Sequence, residues 1–316
     1  MRRLSSFHWA ILLTLPWILP GALLAQPKIV AVVNSASWQS GLPAPGALAT
    51  ALVSGLTGLT PGAYVAPPSQ PLPHTLGGLY VALNGDYAPL LAVIVPTDPS
   101  ANVQINFQVP LSSIISSPHY CVFNVTVPGG CTYGGYLAIG GAVQGIGGEL
   151  EPWGAFFAQS DGIAVALHAS DASLVTRQNP AHPGESIIAY ADDFFMTWPP
   201  PPIAMPVPPQ PAFQVDYQWV RNPGNLYLQT YPTPITACVQ RPCPGSVTNT
   251  PALKIDSMSL AAGLVGVEQI TFEVPSSQKP GTWALFFNTG SCPDGSGLNC
   301  GNNVGDSSPY VLLPVN

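Results

Sequence analysis

The chain has 316 residues, 47% of them hydrophobic but only 7% charged, with a formal net charge of −7. That length suits about two domains, and the wealth of aliphatic and aromatic residues argues against disorder. An acidic chain has no basic patch to neutralise phosphates, which excludes nucleic acid and anionic membrane surfaces as natural partners.

The first 25 residues read as a signal peptide. Arg2 and Arg3 precede an apolar run from Trp9 to Leu24, which ends at the small residue Ala25. The run is shorter than the roughly 20 residues of a spanning helix, and Pro16 and Pro20 interrupt it. Cleavage after Ala25 is the expectation, with no integral membrane segment in the mature chain and a secreted, periplasmic or cell-surface location. Loss of Arg2 and Arg3 leaves six basic against fifteen acidic side chains, a net charge of −9.

Short β-branched or alternating runs follow, each bounded by Gly, Pro, Asn, Asp or Ser. They are KIVAVV (28–33), GLYVAL (78–83), LLAVIV (90–95), QINFQV (104–109), VFNVTV (122–127), SIIAYA (186–191), QITFEV (269–274) and WALFFN (283–288). Short strands with this punctuation predict an all-β protein of sandwich type. Asn84-Gly85 between two such runs is a hairpin signal, because both turn positions need positive φ. SLAAGLVGVEQ (259–269) reads as a short helical turn or a loop, and the Gly-rich GGAVQGIGG (140–148) as an inter-domain turn or hinge.

One phrase occurs twice, QINFQVP at 104–110 and QITFEVP at 269–275. Alternation buries Ile105, Phe107 and Val109, and likewise Ile270, Phe272 and Val274, while Pro110 and Pro275 stop the strands. Upstream of each copy stand an Asn and a Pro-Gly pair, Asn34 with Pro45-Gly46 and Asn179 with Pro183-Gly184. The Pro-Gly pairs lie 138 residues apart and the heptads 165, so the second copy holds about 27 extra residues between 195 and 268. This divides the chain into a signal peptide (1–25), a first sandwich (26–150) and a second (151–316) with a Pro-rich insertion near 198–250. The insertion's WPPPPIAMPVPPQP reads as a rigid surface connection.

The six cysteines form three local pairs, Cys121 with Cys131, Cys238 with Cys243, and Cys292 with Cys300. Export makes disulfides the leading reading, while zinc and redox chemistry are weakened by the lack of C-x-x-C spacing. No metal and no cofactor is expected. No H-E-x-x-H, G-x-S-x-G or phosphate-loop motif is present, so no catalytic residue stands out. Asp192-Asp193 and CPDGSGLNCGNNVGD (292–306) could bind calcium, but adjacent strand residues face opposite ways and the loop lacks the order of a calcium site. A polar strand face of Gln104, Asn106 and Gln108 could in principle meet a ligand.

In their order, VVNSASW…PAPGAL, LPHTLGGLYVALNGDYAPLL, QINFQVP, SLVTRQNPAHPGE, GLVGVEQITFEVP and SSPYVLLPV resemble the Solibacter uncharacterised C-terminal domain of secreted acidobacterial proteins. The resemblance spans about 31–315. It is also similar to immunoglobulin-like IPT/TIG domains, and ADDFF (191–195) stands where the family tends to have a Gly-rich turn. The resemblance implies two tandem immunoglobulin-like sandwiches and supplies no catalytic residues. A secreted structural, adhesive or protein-interaction module is therefore the leading expectation. The alternative is a carbohydrate-binding module using Trp198 and Trp219, with polysaccharide or envelope components as partners, and a secreted hydrolase is the remote one.

Overall fold

The computed structural model describes residues 26–43, 46–67, 71–110, 132–149, 154–192, 253–289 and 310–316, with short pieces at 197–198, 203–207, 214–215, 225–230 and 306–307. The predicted signal peptide (1–25), all six cysteines, VFNVTV, Asp193, Trp219 and most of the Pro-rich insertion lie outside the described residues, as does the side chain of Trp198.

The described residues are all-β, without a helix. In the first half the strands are β1 (Lys28–Asn34), β2 (Leu48–Ser54), β3 (Gly62–Val65), β4 (Val81–Leu83), β5 (Asp86–Tyr87), β6 (Leu90–Val95), β7 (Val103–Gln108), β8 (Thr132–Ile139) and β9 (Ala142–Glu149). In the second they are β10 (Ala155–Phe156), β11 (Ala166–His168), β12 (Ser186–Asp192), β13 (Thr197–Trp198), β14 (Gln214–Val215) and β15 (Asn225–Thr230), then β16 (Ile255–Leu260), β17 (Glu268–Glu273), β18 (Gly281–Thr289), β19 (Asp306–Ser307) and β20 (Val311–Val315). All ladder pairings are antiparallel.

The first half packs the sheet β1-β2-β7-β6-β3 against the sheet β5-β4-β8-β9. One core is shared by Ala51, Val93, Ile105 and Phe107 of the first sheet and Leu83, Leu137 and Ile139 of the second. In the second half, β12 and β17 carry Ile187, Ile270 and Phe272 against Leu285, Val311 and Leu313 of β18 and β20. Both are β-sandwiches. Each heptad buries its alternate residues as the pattern predicts, with Ile105, Phe107, Val109, Ile270, Phe272 and Val274 all at 0% exposure.

The heptads occupy matching places in their ladders. Leu48 pairs with Gln108 and Phe107 with Ala49, while Ser186 pairs with Glu273 and Phe272 with Ile187. The Gly46 amide donates to the Val109 carbonyl and the Gly184 amide to the Val274 carbonyl, both at 2.8 Å. Both glycines have positive φ, 92° and 84°, which Gly adopts without a Cβ penalty. Each of these glycines thus closes onto the end of its own heptad. On the heptad's other side, β6 and β16 bulge at the same point, between Leu90 and Ala92 and between Ile255 and Ser257. The offset is 138 residues at β2/β12 and 165 from β6/β16 onward. The 27 extra residues therefore lie between Asp192 and Ile255.

A third correspondence corrects the sequence alignment. The strand residue that pairs opposite Ala49 is Asn34, and the one opposite Ile187 is His168 rather than Asn179. Both are followed by the same turn. The Trp38 amide donates to the Asn34 carbonyl and the Ala172 amide to the His168 carbonyl, and Trp38 and Ala172 share a left-handed φ of 58°. Two more elements depart from expectation. GGAVQGIGG is a β-hairpin, with Gly140-Gly141 as the turn and the rest in β9, rather than a hinge. Residues 203–207 of the Pro-rich stretch are on the surface only in part: Met205 is 52% exposed, while Ala204 and Val207 pack at the junction between the two halves. Ala204 packs with Ala66, Leu72 and Val265, and Val207 is buried. Proline leaves this segment few amides, and those of Ala204 and Val207 bond to the Gln108 side chain and the Leu264 carbonyl.

Candidate binding surface

The outer face of the sheet β5-β4-β8-β9 carries three exposed tyrosines. The β4–β5 turn is Asn84-Gly85, with φ of 54° and 92°. The Asn84 side-chain oxygen accepts the Tyr136 amide at 2.9 Å and the Asn84 amide donates to the Tyr136 carbonyl at 3.0 Å, which ties the turn to β8. Val81, Leu83, Leu137 and Ile139 point into the core. By alternation Tyr80, Ala82, Tyr136 and Ala138 point out. Tyr87 stands opposite Ala82, Val143 opposite Ala138, and Gly145 opposite Tyr136.

Exposure is 39% for Tyr80, 56% for Tyr87, 68% for Tyr136 and 67% for Val143. Tyr80 and Tyr87 meet edge to face, ring centroids 5.5 Å apart and planes at 73°, a favourable arrangement for aromatic quadrupoles. Ala82 and Ala138, both half-buried, are the small residues of this face, flanked by Tyr87 on β5 and Val143 on β9. A side chain added at Gly145 would meet open space.

The polar face of the first heptad is engaged internally. Gln104 Nε2 donates to Asn106 Oδ1 at 2.9 Å, and the Thr50 hydroxyl donates to the same oxygen at 3.1 Å and shares a hydrogen bond with the Ser35 hydroxyl. Gln108 is fully buried, donating to the Gly46 carbonyl and accepting the Ala204 amide, each at 2.9 Å. It therefore bridges the two halves. Asp192 has 1% exposure, and its Oδ2 accepts the Leu48 amide of the first half at 3.1 Å. Its carboxylate serves that junction.

His168 is buried at 4% exposure. Its Nδ1 lies 3.0 Å from Glu185 Oε2 and its Nε2 3.3 Å from the Asn179 carbonyl. Burial by itself favours the neutral ring, but the Glu185 hydrogen bond and charge, the Asn179 carbonyl and the charge of Asp171 outweigh it. The pKa lies above the ordinary 6.5. Two acceptors facing two ring nitrogens suit the doubly protonated imidazolium. Glu185 Oε1 also accepts the His182 amide, so the pair fastens the loop from 168 to 185 onto β11 and β12. His182 lies beside His168, ring centroids 6.3 Å apart. No group of three His, Cys, Asp or Glu side chains placed to hold a metal occurs among the described residues.

Of the expected aromatics, Trp198 is placed only by its backbone, in β13 against β14. Trp283 is half-buried and donates its indole N–H to the Lys279 carbonyl at 3.0 Å. The tyrosine face was missed by sequence reasoning. Its signal was present in part, since YVALNGDY alternates Tyr80 with Ala82 and its two-residue turn returns Tyr87 to the same face. The placement of Tyr136 beside them needs the pairing of β4 with β8. No helix among the described residues is long and apolar enough to cross a membrane. No protein-family model matches the chain, and no curated protein matches its sequence.

Proposed function

We propose that the chain is an exported, non-catalytic binding protein, made of two tandem immunoglobulin-like sandwiches, that serves a structural or adhesive role outside the cell. The observation that carries the reading is the solvent-facing tyrosine surface of β4, β5 and β8. Three large aromatics on one exposed sheet face suit a recognition surface better than a reaction cleft. The buried polar groups support it too, because Gln108, Asp192 and His168 each hold the fold together. The tandem organisation is supported by matching ladder registers, bulges and turns in the two halves. Export rests on the N-terminal pattern, and the resemblance to the Solibacter C-terminal domain family points the same way.

The test is retention of residues 26–316 on cell envelopes of the source organism. Binding that is lost in a Tyr87→Ala/Tyr136→Ala double variant of unchanged melting temperature is the expected result. No retention, or retention indifferent to the double variant, would overturn the proposal.

A further inference from the structure

We infer that the tyrosine face binds a neutral polysaccharide, with Tyr80, Tyr87 and Tyr136 stacking on pyranose rings; this rests on the binding role proposed above. The C–H face of a pyranose is apolar while its rim carries hydroxyls. A partner surface needs the same division, and tyrosine supplies it in one side chain, a ring face and a phenol oxygen. The phenol oxygens of Tyr80, Tyr87 and Tyr136 have no hydrogen-bond partner among the described residues, whereas that of Tyr64 donates to the Thr60 carbonyl. With respect to the described residues, all three are available to sugar hydroxyls.

Tyr87, Ala82, Ala138 and Val143 form one row across the four strands. Three strand spacings of about 4.8 Å place Tyr87 and Val143 about 14 Å apart across Ala82 and Ala138. Tyr80, just before β4, and Tyr136, on β8, stand two residues from Ala82 and Ala138, on opposite sides of that row. No charge occurs at the positions next to the tyrosines, Ala82, Asn84, Ala138, Val143 and Gly145, and the acidic position of the same register, Glu149, pairs with Thr132 at the far end of β9. Asp86, next to Tyr87, lies on the other side of the pleat. With six basic against fifteen acidic side chains in residues 26–316, that form repels acidic polymers at long range. An uncharged glycan is the occupant this surface fits.

The experiment measures binding of residues 26–316 to cellulose, mannan and starch, with polygalacturonate as the acidic comparison. Retention on at least one neutral polysaccharide is expected, weakened about tenfold by Tyr87→Ala and by Tyr136→Ala. Gly145→Arg fills the space beside Tyr136 and should abolish retention with no fall in melting temperature. Leu264→Ala, at an exposed apolar residue elsewhere, should change nothing. The inference is overturned by failure on all three neutral polysaccharides, by retention on polygalacturonate alone, or by retention that the tyrosine and Gly145 variants leave intact. It is also overturned if Tyr136→Ala merely converts a dimer to a monomer in sedimentation, since the occupant is then a second copy. Envelope binding that needs the tyrosines while all three neutral polysaccharides fail would sink this inference and leave the broader binding role standing. Failure on envelopes as well would remove both.

Discussion

His168 stands where the first sandwich has Asn34, and the two residues solve one local problem differently. Asn34 Oδ1 accepts the amides of Ala36 and Ser37 at 2.7 and 3.0 Å, an Asx turn that shapes the loop from within. His168 instead reaches across to Glu185 and the Asn179 carbonyl. The loop it serves is four residues longer, since the offset grows from 134 at Asn34/His168 to 138 at Ala49/Ile187. This makes the second sandwich sensitive to pH. The folded pKa of His168 is raised above 6.5, so its contribution is fully present below pH 6.5 and lost as pH rises through the folded value. Melting temperatures followed from about pH 5.5 to about pH 8.5 should show a wild-type advantage over His168→Gln that shrinks across this window. An advantage constant with pH would refute the assignment. The aromatic core residues give a second prediction. Phe272 is fully buried, and Phe272→Ala should cost about 3–5 kcal/mol in chemical denaturation, the transfer loss plus the cavity.

At the scale of elements, two glycines separate space from backbone. Gly266 has φ of 65°, and a Cβ there would sit 2.7 Å from the Gly46 carbonyl oxygen and 2.9 Å from Leu48. Backbone cannot yield as a side chain does, so Gly266→Ala should destabilise by about 1–3 kcal/mol. Gly145 lies in β9 with nothing near its missing Cβ. Gly145→Ala should be neutral or stabilise by about 0.5–1 kcal/mol. Equal effects of the two substitutions in urea titrations would contradict the packing described. The heptad strands were legible in the sequence because period-2 alternation and a terminal proline are local signals. The Asn84-Gly85 hairpin was legible for the same reason. GGAVQGIGG was not: glycine carries no side chain to alternate, and β9 is held by its ladder with β8.

At the scale of the whole molecule, the sandwiches meet through a few buried contacts. The Asp192 carboxylate holds the Leu48 amide, Gln108 holds the Ala204 amide, and the Leu72 amide donates to the Ala204 carbonyl. Gln108→Ala leaves an amide and the Gly46 carbonyl unpaired, at about 1–3 kcal/mol for each group. Calorimetry of Gln108→Ala should show a destabilised junction, with the wild-type transition separating into two, whereas a single unshifted transition would show that Gln108 couples nothing. The sequence by itself determined the all-β class, the buried heptad faces, the first hairpin and the size of the insertion, because each depends on spacing along the chain. Only the tertiary structure decided that His168 replaces Asn34, that part of the Pro-rich segment lies between the sandwiches, and that Tyr136 joins Tyr80 and Tyr87. Those facts depend on which strands and loops pair across dozens of residues, and pairing is set by burial and hydrogen bonding in the folded state rather than by local propensity.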